Sequence, residues 1–239
     1  AYGYDLTGKT DLSYLLKHLS RDTDLEWIRI LYGHPKHLSR EILTAMGEEE
    51  KVCNYIDLPL QHISDAVLDT MGRKTKATMI KKLVAQMRRI MQDLWLRTTF
   101  IVGFPGERDE DFKLLLEFVK EVEFEHLGAF KYSDEEGTKA YTMKDKVQPH
   151  IIEERFHQLM SAQSTISLSK NQALIGTTQK ILIEGVDSSS GMLTGRTSFQ
   201  APDIDGIVLI TKGSAPAGAM VEVTVSHAEA YDLFGEIQK

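Results

Sequence analysis

The sequence predicts an α/β chain: an incomplete (βα) TIM-like barrel followed by a small all-β barrel. Residues 1 to about 150 alternate short apolar or β-branched runs with amphipathic helical patterns, as βα units wound into a parallel sheet do. One long helical pattern then runs from Pro149. Beyond Gly176 the composition shifts to Thr, Val, Ile and Gly, in alternating strands separated by turn residues.

Leu12, Leu15, Leu16 and Leu19 mark the first helix. Four strands are read at Trp27 to Tyr32, Val52 to Leu60, Leu96 to Phe104 and His126 to Tyr132, each mostly apolar, as buried parallel strands are. Ser64 reads as the N-cap of a short helix, with Asp65 in its first turn and Gly72 as its terminator. Met79, Ile80, Leu83, Val84, Met87, Ile90, Met91 and Leu94 mark a longer helix, and Phe112, Leu115, Leu116, Val119 and Val122 another. Pro149 opens a connector helix over about 149–171 whose apolar stripe is Ile152, Phe156, Leu159, Met160 and Ile166. Four further strands, Lys180 to Val186, Met192 to Phe199, Ile207 to Lys212 and Met220 to Ser226, predict a closed or nearly closed antiparallel barrel. The domains expected are therefore 1–171, with the connector, and 172–239.

With 239 residues, 42% of them hydrophobic and 26% charged, the chain can bury a core. It has no run of about 18 uncharged apolar residues for a membrane span, and AYGYDLTGKT lacks the basic start and apolar run of a signal peptide, so a cytoplasmic setting is expected. Cys53 is the only cysteine, which rules out an internal disulfide and any thiolate set for zinc or an iron-sulfur cluster. The net charge of -7 argues against a chain built mainly to grip a nucleic-acid backbone.

In a parallel sheet or barrel, ligands bind at the C-terminal ends of the strands. One strand runs into PLQHIS, the next into GFPGE and the last into KYSDEEGT. In GFPGE, Gly103 and Gly106 permit close backbone approach, Pro105 sets the turn and Glu107 sits near the start of a helix. Alone, the motif reads equally as a tight βα turn with a capping glutamate. Gln61 and His62 would stand at the barrel mouth, the histidine as a structural hydrogen-bonder or a ligand contact and the amide as donor and acceptor for a hydroxyl or carboxylate. Arg97 lies near the start of its strand, where it forms either a salt bridge or a carboxylate contact. Neither G-x-x-x-x-G-K-[ST] nor G-x-G-x-x-G follows a strand, and H-E-x-x-H and G-x-S-x-G are absent, so nucleotide-hydrolysing, dinucleotide and ordinary hydrolase readings lack their motifs.

Taken together, YIDLPLQHISDAVLDTMGR, RTTFIVGFPGE, AFKYSDEEGTKA, GRTSFQAPDIDG and AYDLFGEI resemble, in that order, the radical S-adenosylmethionine (SAM) methylthiotransferases over nearly the whole chain. The resemblance implies a partial radical SAM barrel followed by a TRAM domain, an OB-like barrel. PLQHIS, APDIDG and YDLFGE favour the RimO type, which methylthiolates an aspartate of ribosomal protein S-twelve, over the MiaB type, which modifies a tRNA adenosine. Residues 172–239 hold four Lys and Arg against eight Asp and Glu, which suits a basic small-subunit ribosomal protein as partner and disfavours RNA binding by the TRAM domain.

The resemblance further implies that SAM lies against the strand ends: Gln61, His62 and Ser64 towards its ribose or amino-acid part, with Arg97 nearby; Gly103, Phe104, Pro105, Gly106 and Glu107 against the adenosine; and Phe130, Tyr132 and Ser133 along the adenine edge. Replacing Gly103 with Val is then expected to weaken SAM binding and leave folding largely intact. Two 4Fe-4S clusters are implied for the intact enzyme and none for this chain, which lacks the C-x-x-x-C-x-x-C loop. A fragment or truncated paralogue, inactive alone, is the corresponding expectation, and a non-catalytic binding protein working through its TRAM domain is the alternative.

Overall fold

Four parallel strands, β1 (Ile28–Ile30), β2 (Val52–Asp57), β3 (Trp95–Val102) and β4 (His126–Lys131), lie side by side in chain order in a computed structural model that describes residues 2, 3 and 11–238. Most of the N-terminal stretch read for a leader, Tyr4 to Thr10, lies outside the described residues. The helices are α1 (Leu12–Asp22), α2 (Arg40–Glu48), α3 (Asp65–Thr70), α4 (Ala77–Ile90), α5 (Asp109–Val122) and α6 (Pro149–Gln172). Two strands stop earlier than their apolar runs. Tyr32, in the left-handed region at φ 58°, ends β1, and Pro59, which has no N–H to give a ladder, interrupts β2. The chain rejoins the sheet at Gln61, which bridges Phe100. Leu96, Thr98, Phe100 and Val102 of β3 are wholly buried, and Phe100 meets Phe118 of α5 and Phe124 edge-on at 6.4 and 5.9 Å. Trp95, Arg97, Thr99 and Ile101 alternate onto the opposite, hollow-facing side.

Short α2 went unread in the sequence; it is nine residues long, contains Gly47, and is capped by Ser39, whose Oγ accepts from Ile42 N–H at 3.3 Å. In α3, Ser64 occupies the N-cap position without its side chain capping the helix, and Gly72 takes the left-handed conformation just beyond the end, at φ 73°.

The chain divides into two compact units, Ala1–Gln163 and Ser164–Lys239, the division falling inside α6. Of the apolar stripe read for α6, only Leu159 lies on its buried face. Arg155, Leu159, Gln163, Ser167 and Asn171 are buried at four-residue spacing, while Ile152, Phe156, Met160 and Ile166 are half-buried beside them. Backbone carbonyls satisfy these polar side chains: Gln163 Nε2 donates to Phe124 O at 2.7 Å in the first unit, and Asn171 Nδ2 to Glu229 O at 3.0 Å in the second.

In the second unit, β5 (Thr178–Val186), β6 (Leu193–Thr197), β7 (Val208–Lys212), β8 (Met220–Ala228) and β9 (Leu233–Ile237) close into a barrel of order β5-β6-β7-β9-β8. The fifth strand, formed by the closing LFGEI segment, was not anticipated, and it corrects the expectation of a wholly antiparallel barrel. A ring of five strands cannot alternate direction throughout, so one pair must be parallel; it is β7 with β9. Ile181, Ile183, Val208, Ile210, Val223, Val225 and Leu233 fill the interior. Gly235 lets two backbones close up there, since a Cβ on it would stand 2.6 Å from Thr224 O.

Phe118→Ala removes a ring that is 2% exposed and touches Phe100 and Phe124. It should destabilise the chain by about 3–5 kcal/mol, read as a lower urea midpoint for loss of helical circular dichroism.

Candidate functional site

The ends of β3 and β4 and the start of the loop after β4 enclose a hollow of about 620 Å³ with the end of α3. A volume of that order suits a nucleoside-sized ligand. Its walls include Met71, Ile101, Phe104 and Phe130, with Asp69, Lys131, Tyr132, Ser133 and Glu135 and the strap Thr138 to Ala140. Phe130 leaves an aromatic face 64% exposed, and Phe104 meets Tyr132 edge-on at 5.2 Å. Lys146 pins the strap: its Nζ donates to Ala140 O at 2.7 Å and also binds Asp134. Asp134 accepts the Tyr132 hydroxyl at 2.8 Å, and burial and that carboxylate push the Tyr132 phenol above its usual pKa.

Behind this hollow lies a buried polar network. Glu107 accepts the Gly103 N–H at 2.9 Å and pairs with Arg155 Nη1 at 2.7 Å, while Arg155 Nη2 reaches Asp109 at 2.6 Å. His62 is fully buried; its Nδ1 accepts the Ser64 N–H at 2.9 Å, so the ring proton sits on Nε2, which faces Glu107 Oε2 at 3.6 Å. Ser64 Oγ donates to Asp111 Oδ1 at 2.5 Å. Burial raises the Asp111 pKa, but the hydrogen bonds from Ser64 and Arg108 outweigh it and hold the carboxyl below its ordinary value.

Of the residues marked in the sequence, Phe104, Phe130, Tyr132 and Ser133 therefore line the hollow together. Gly103 and Pro105 flank Phe104 in the turn beneath it, and Gly106 and Glu107 border a separate concavity with residues 145–148. His62, Ser64 and Glu107 are turned into the protein, where they brace the loops. Arg97 stands lower on the hollow-facing side, with Nη1 3.4 Å from both Asp57 Oδ1 and Thr99 Oγ1. Gln61 holds a strained φ of 71°, its backbone paired with Thr99 O and Ile101 N–H at 2.8 and 2.9 Å. Its side-chain amide has no hydrogen bond among the described residues.

Several wall residues went unread. Met71 and Ile101 looked like ordinary core positions, and Thr138 to Ala140 like loop. Arg73 was also missed. It follows Gly72 at the end of α3, its N–H donating to Leu68 O at 2.8 Å. Burial lowers its guanidinium pKa, and no ion pair to it forms among the described residues. Its charge joins burial in depressing the nearby His34 imidazole. A half-desolvated cation without a counter-charge is suited to an incoming anion. A basic residue at a helix C-terminus ordinarily signals only a dipole complement, and that masked it in the sequence.

Residues 3–119 match the radical SAM superfamily and residues 175–237 the TRAM domain. The chain is 45% identical over 237 residues to the ribosomal protein uS12 methylthiotransferase RimO of Geobacter sulfurreducens, covering 99% of this chain and 53% of that protein. The protein of the same name from Pelobacter propionicus is 45% identical over 239 residues, with 100% and 53% covered. The chain belongs to the radical SAM methylthiotransferase family. It spans about half the length of these relatives. The fold of the radical SAM unit is shared with coproporphyrinogen III oxidase (HemN) from Escherichia coli, at a TM-score of 0.50 and 19% identity over 66% of this chain and 36% of that one. The thiolates of a radical SAM cluster do not fit this chain's residues: Cys53, its single cysteine, is 4% exposed within β2 of the radical SAM unit.

Two predictions follow from the bracing network. Because the folded-state pKa of Asp111 is depressed, its contribution is present above the ordinary value of 3.8 and is lost as pH falls through the folded value. Asp111→Asn should therefore cost about 1–3 kcal/mol at neutral pH and flatten the loss of stability below pH ~4, as measured by urea titration across pH. For Gly103 the structure corrects the expectation that Val is tolerated by the fold. Its φ is 78°, and any Cβ would overlap Ile152. Gly103→Ala should lose roughly 1–2 kcal/mol or more from the backbone alone. Gly106→Ala, at φ 86° with open space around its Cβ, should lose only the backbone part.

Proposed function

We propose that this chain forms the nucleoside-binding and substrate-facing part of an enzyme that adds a methylthio group to the β-carbon of an aspartate in a basic small-subunit ribosomal protein. The observation that carries this reading is the 620 Å³ hollow at the ends of β3 and β4, whose mixed lining includes Met71, Ile101, Phe104 and Phe130, with a strained Gln61 on the neighbouring loop and a partly desolvated Arg73 at the end of α3. The names of its relatives supply the reaction class.

SAM would lie with its adenine between Phe130, Ile101 and Phe104 along the 131–133 main chain. Gln61 and Arg73 would serve its amino-acid end, braced from behind by His62, Ser64 and Glu107. The one-electron chemistry would come from an iron-sulfur cluster, for which this chain supplies no thiolate set. The chain's own residues bind and orient SAM and exclude water from it. The acidic TRAM barrel, from residue 172, suits a basic protein partner better than a phosphate backbone. A ribosome-directed reaction places the enzyme in the cytoplasm. Among the described residues no helix is long and apolar enough to cross a membrane.

The test is the product. An intact enzyme carrying this sequence, incubated with SAM, reductant and small ribosomal subunits, should give one ribosomal protein heavier by a methylthio group, which fragmentation mass spectrometry locates on an aspartate. Modification of a tRNA adenosine instead, with no change in ribosomal protein, would overturn the reading.

A further inference from the structure

We infer that the outer edge of β4 receives an extended segment of the protein substrate as an added strand, which lays the target side chain beside the nucleoside-sized hollow. The inference rests on the function proposed above and concerns how that substrate is held. β4 is the last strand of the four-stranded sheet and pairs with β3 alone. The Tyr132 N–H donates to Val102 O at 2.9 Å, and in a parallel ladder successive residues turn their N–H and C=O to alternate sides. His126, Gly128 and Phe130 therefore share the inward direction of Tyr132, whereas Leu127, Ala129 and Lys131 present their main-chain groups outward. The other side of β3 keeps the same alternation, since Arg97 O and Thr99 O accept from Leu58 and Gln61 of the β2 side. No strand takes up the outward groups of Leu127, Ala129 and Lys131 among the described residues.

Exposed sheet edges are ordinarily blunted by brevity, a bulge, proline or lysine. β1, at the opposite end of the sheet, is blunted in this way, with three residues and an irregular register. β4 is not. Its six residues pair with β3 in unbroken register and include no proline, and its one lysine, Lys131, is drawn to Glu153 of α6 at 2.8 Å. A strand added about 4.8 Å beyond β4 alternates as β4 does, so its residue opposite Phe130 turns towards the hollow that Phe130 and Ile101 wall. Outward N–H and C=O groups repeating along a strand are matched by a polypeptide backbone and not by a nucleic acid. Charge selects the same partner. The chain leaving β4 carries Asp134, Glu135 and Glu136, all exposed. Glu135 borders the hollow, and neither Glu135 nor Glu136 forms an ion pair among the described residues. A basic polypeptide is favoured beside that rim.

The experiment uses the intact enzyme loaded with SAM and the isolated target ribosomal protein, and follows amide hydrogen exchange residue by residue with and without that protein. The Leu127, Ala129 and Lys131 amides should exchange fast in the enzyme alone and slow by roughly 10-fold or more when the ribosomal protein is added, while those of Phe130 and Tyr132 are protected throughout. Ala129→Pro removes one outward N–H, a change that an edge strand tolerates. It should raise KM for the ribosomal protein roughly 10-fold and leave SAM affinity at the wild-type value. Outer amides already protected before the substrate is added would show that another part of the enzyme fills the edge, and would overturn the proposal. Amides that stay fast with the substrate bound would overturn it equally, as would an unchanged KM in a folded Ala129→Pro enzyme. If that variant does not fold or loses SAM, the exchange measurement on the wild type decides. A wild-type enzyme that leaves the ribosomal protein unmodified sinks the functional reading itself, whereas modification without protection of the edge sinks this inference alone.

Discussion

The carboxylate of Glu107 has no exposed surface, and removing such a group from water costs several kcal/mol unless its oxygens are matched by donors. Here they are matched from separate parts of the first unit. The Gly103 N–H comes from the turn after β3, the Arg155 guanidinium from α6, and the buried His62 ring faces the same carboxylate from the loop after β2. Each of these segments would be an ordinary surface loop or helix face if Glu107 were solvated. With Glu107 buried, the turn after β3 and α6 are held in relative position, because displacing either leaves a charge or an N–H without its partner. The hollow at the strand ends depends on this constraint, since Phe104 is carried on the turn that Glu107 holds.

The same rule, that buried polar groups must be paired, explains the unexpected face of α6. Arg155, Gln163 and Asn171 are buried because each finds an acceptor: the Glu107 carboxylate, Phe124 O and Glu229 O respectively. Hydrophobicity alone would rotate the helix to bury Ile152, Phe156, Met160 and Ile166. The hydrogen-bonding groups occupy the central line instead and the apolar side chains flank it, an arrangement that gives fixed partners in place of a general apolar contact.

Much of the fold was legible because it rests on local pattern. The alternation of Thr98, Phe100 and Val102 with Arg97, Thr99 and Ile101 marks a strand with two different faces, and the four-strand parallel sheet follows from the βα order. That Phe104, Phe130, Tyr132 and Ser133 line one hollow was legible because strand termini converge by topology. Arg73 was not, since what marks it is that its guanidinium forms no ion pair among the described residues, and that is a property of space. His62, Ser64 and Glu107 were marked as groups at the mouth, but their side chains turn inward: Ser64 to Asp111, 47 residues on, Glu107 to Arg155, 48 residues on, and His62 towards Glu107. The closing strand β9 escaped notice because five apolar-alternating residues carry little signal until a barrel with a gap between β7 and β8 exists to receive them.

By itself the sequence determined the secondary-structure order, the helical connector beginning at Pro149, the change from parallel to largely antiparallel architecture past Gly176, and the scarcity of thiolates. These follow from periodicity, from proline and glycine geometry, and from counting. Only the tertiary structure decided which polar side chains are left without a protein partner and which face one another, because that depends on whether a partner lies within about 3 Å in space. The side chains of Gln61 and Arg73 have no such partner among the described residues, whereas that of Glu107 has several. Tertiary structure alone likewise placed the Arg97 guanidinium beside Thr99 and Gly128, one rung up the sheet.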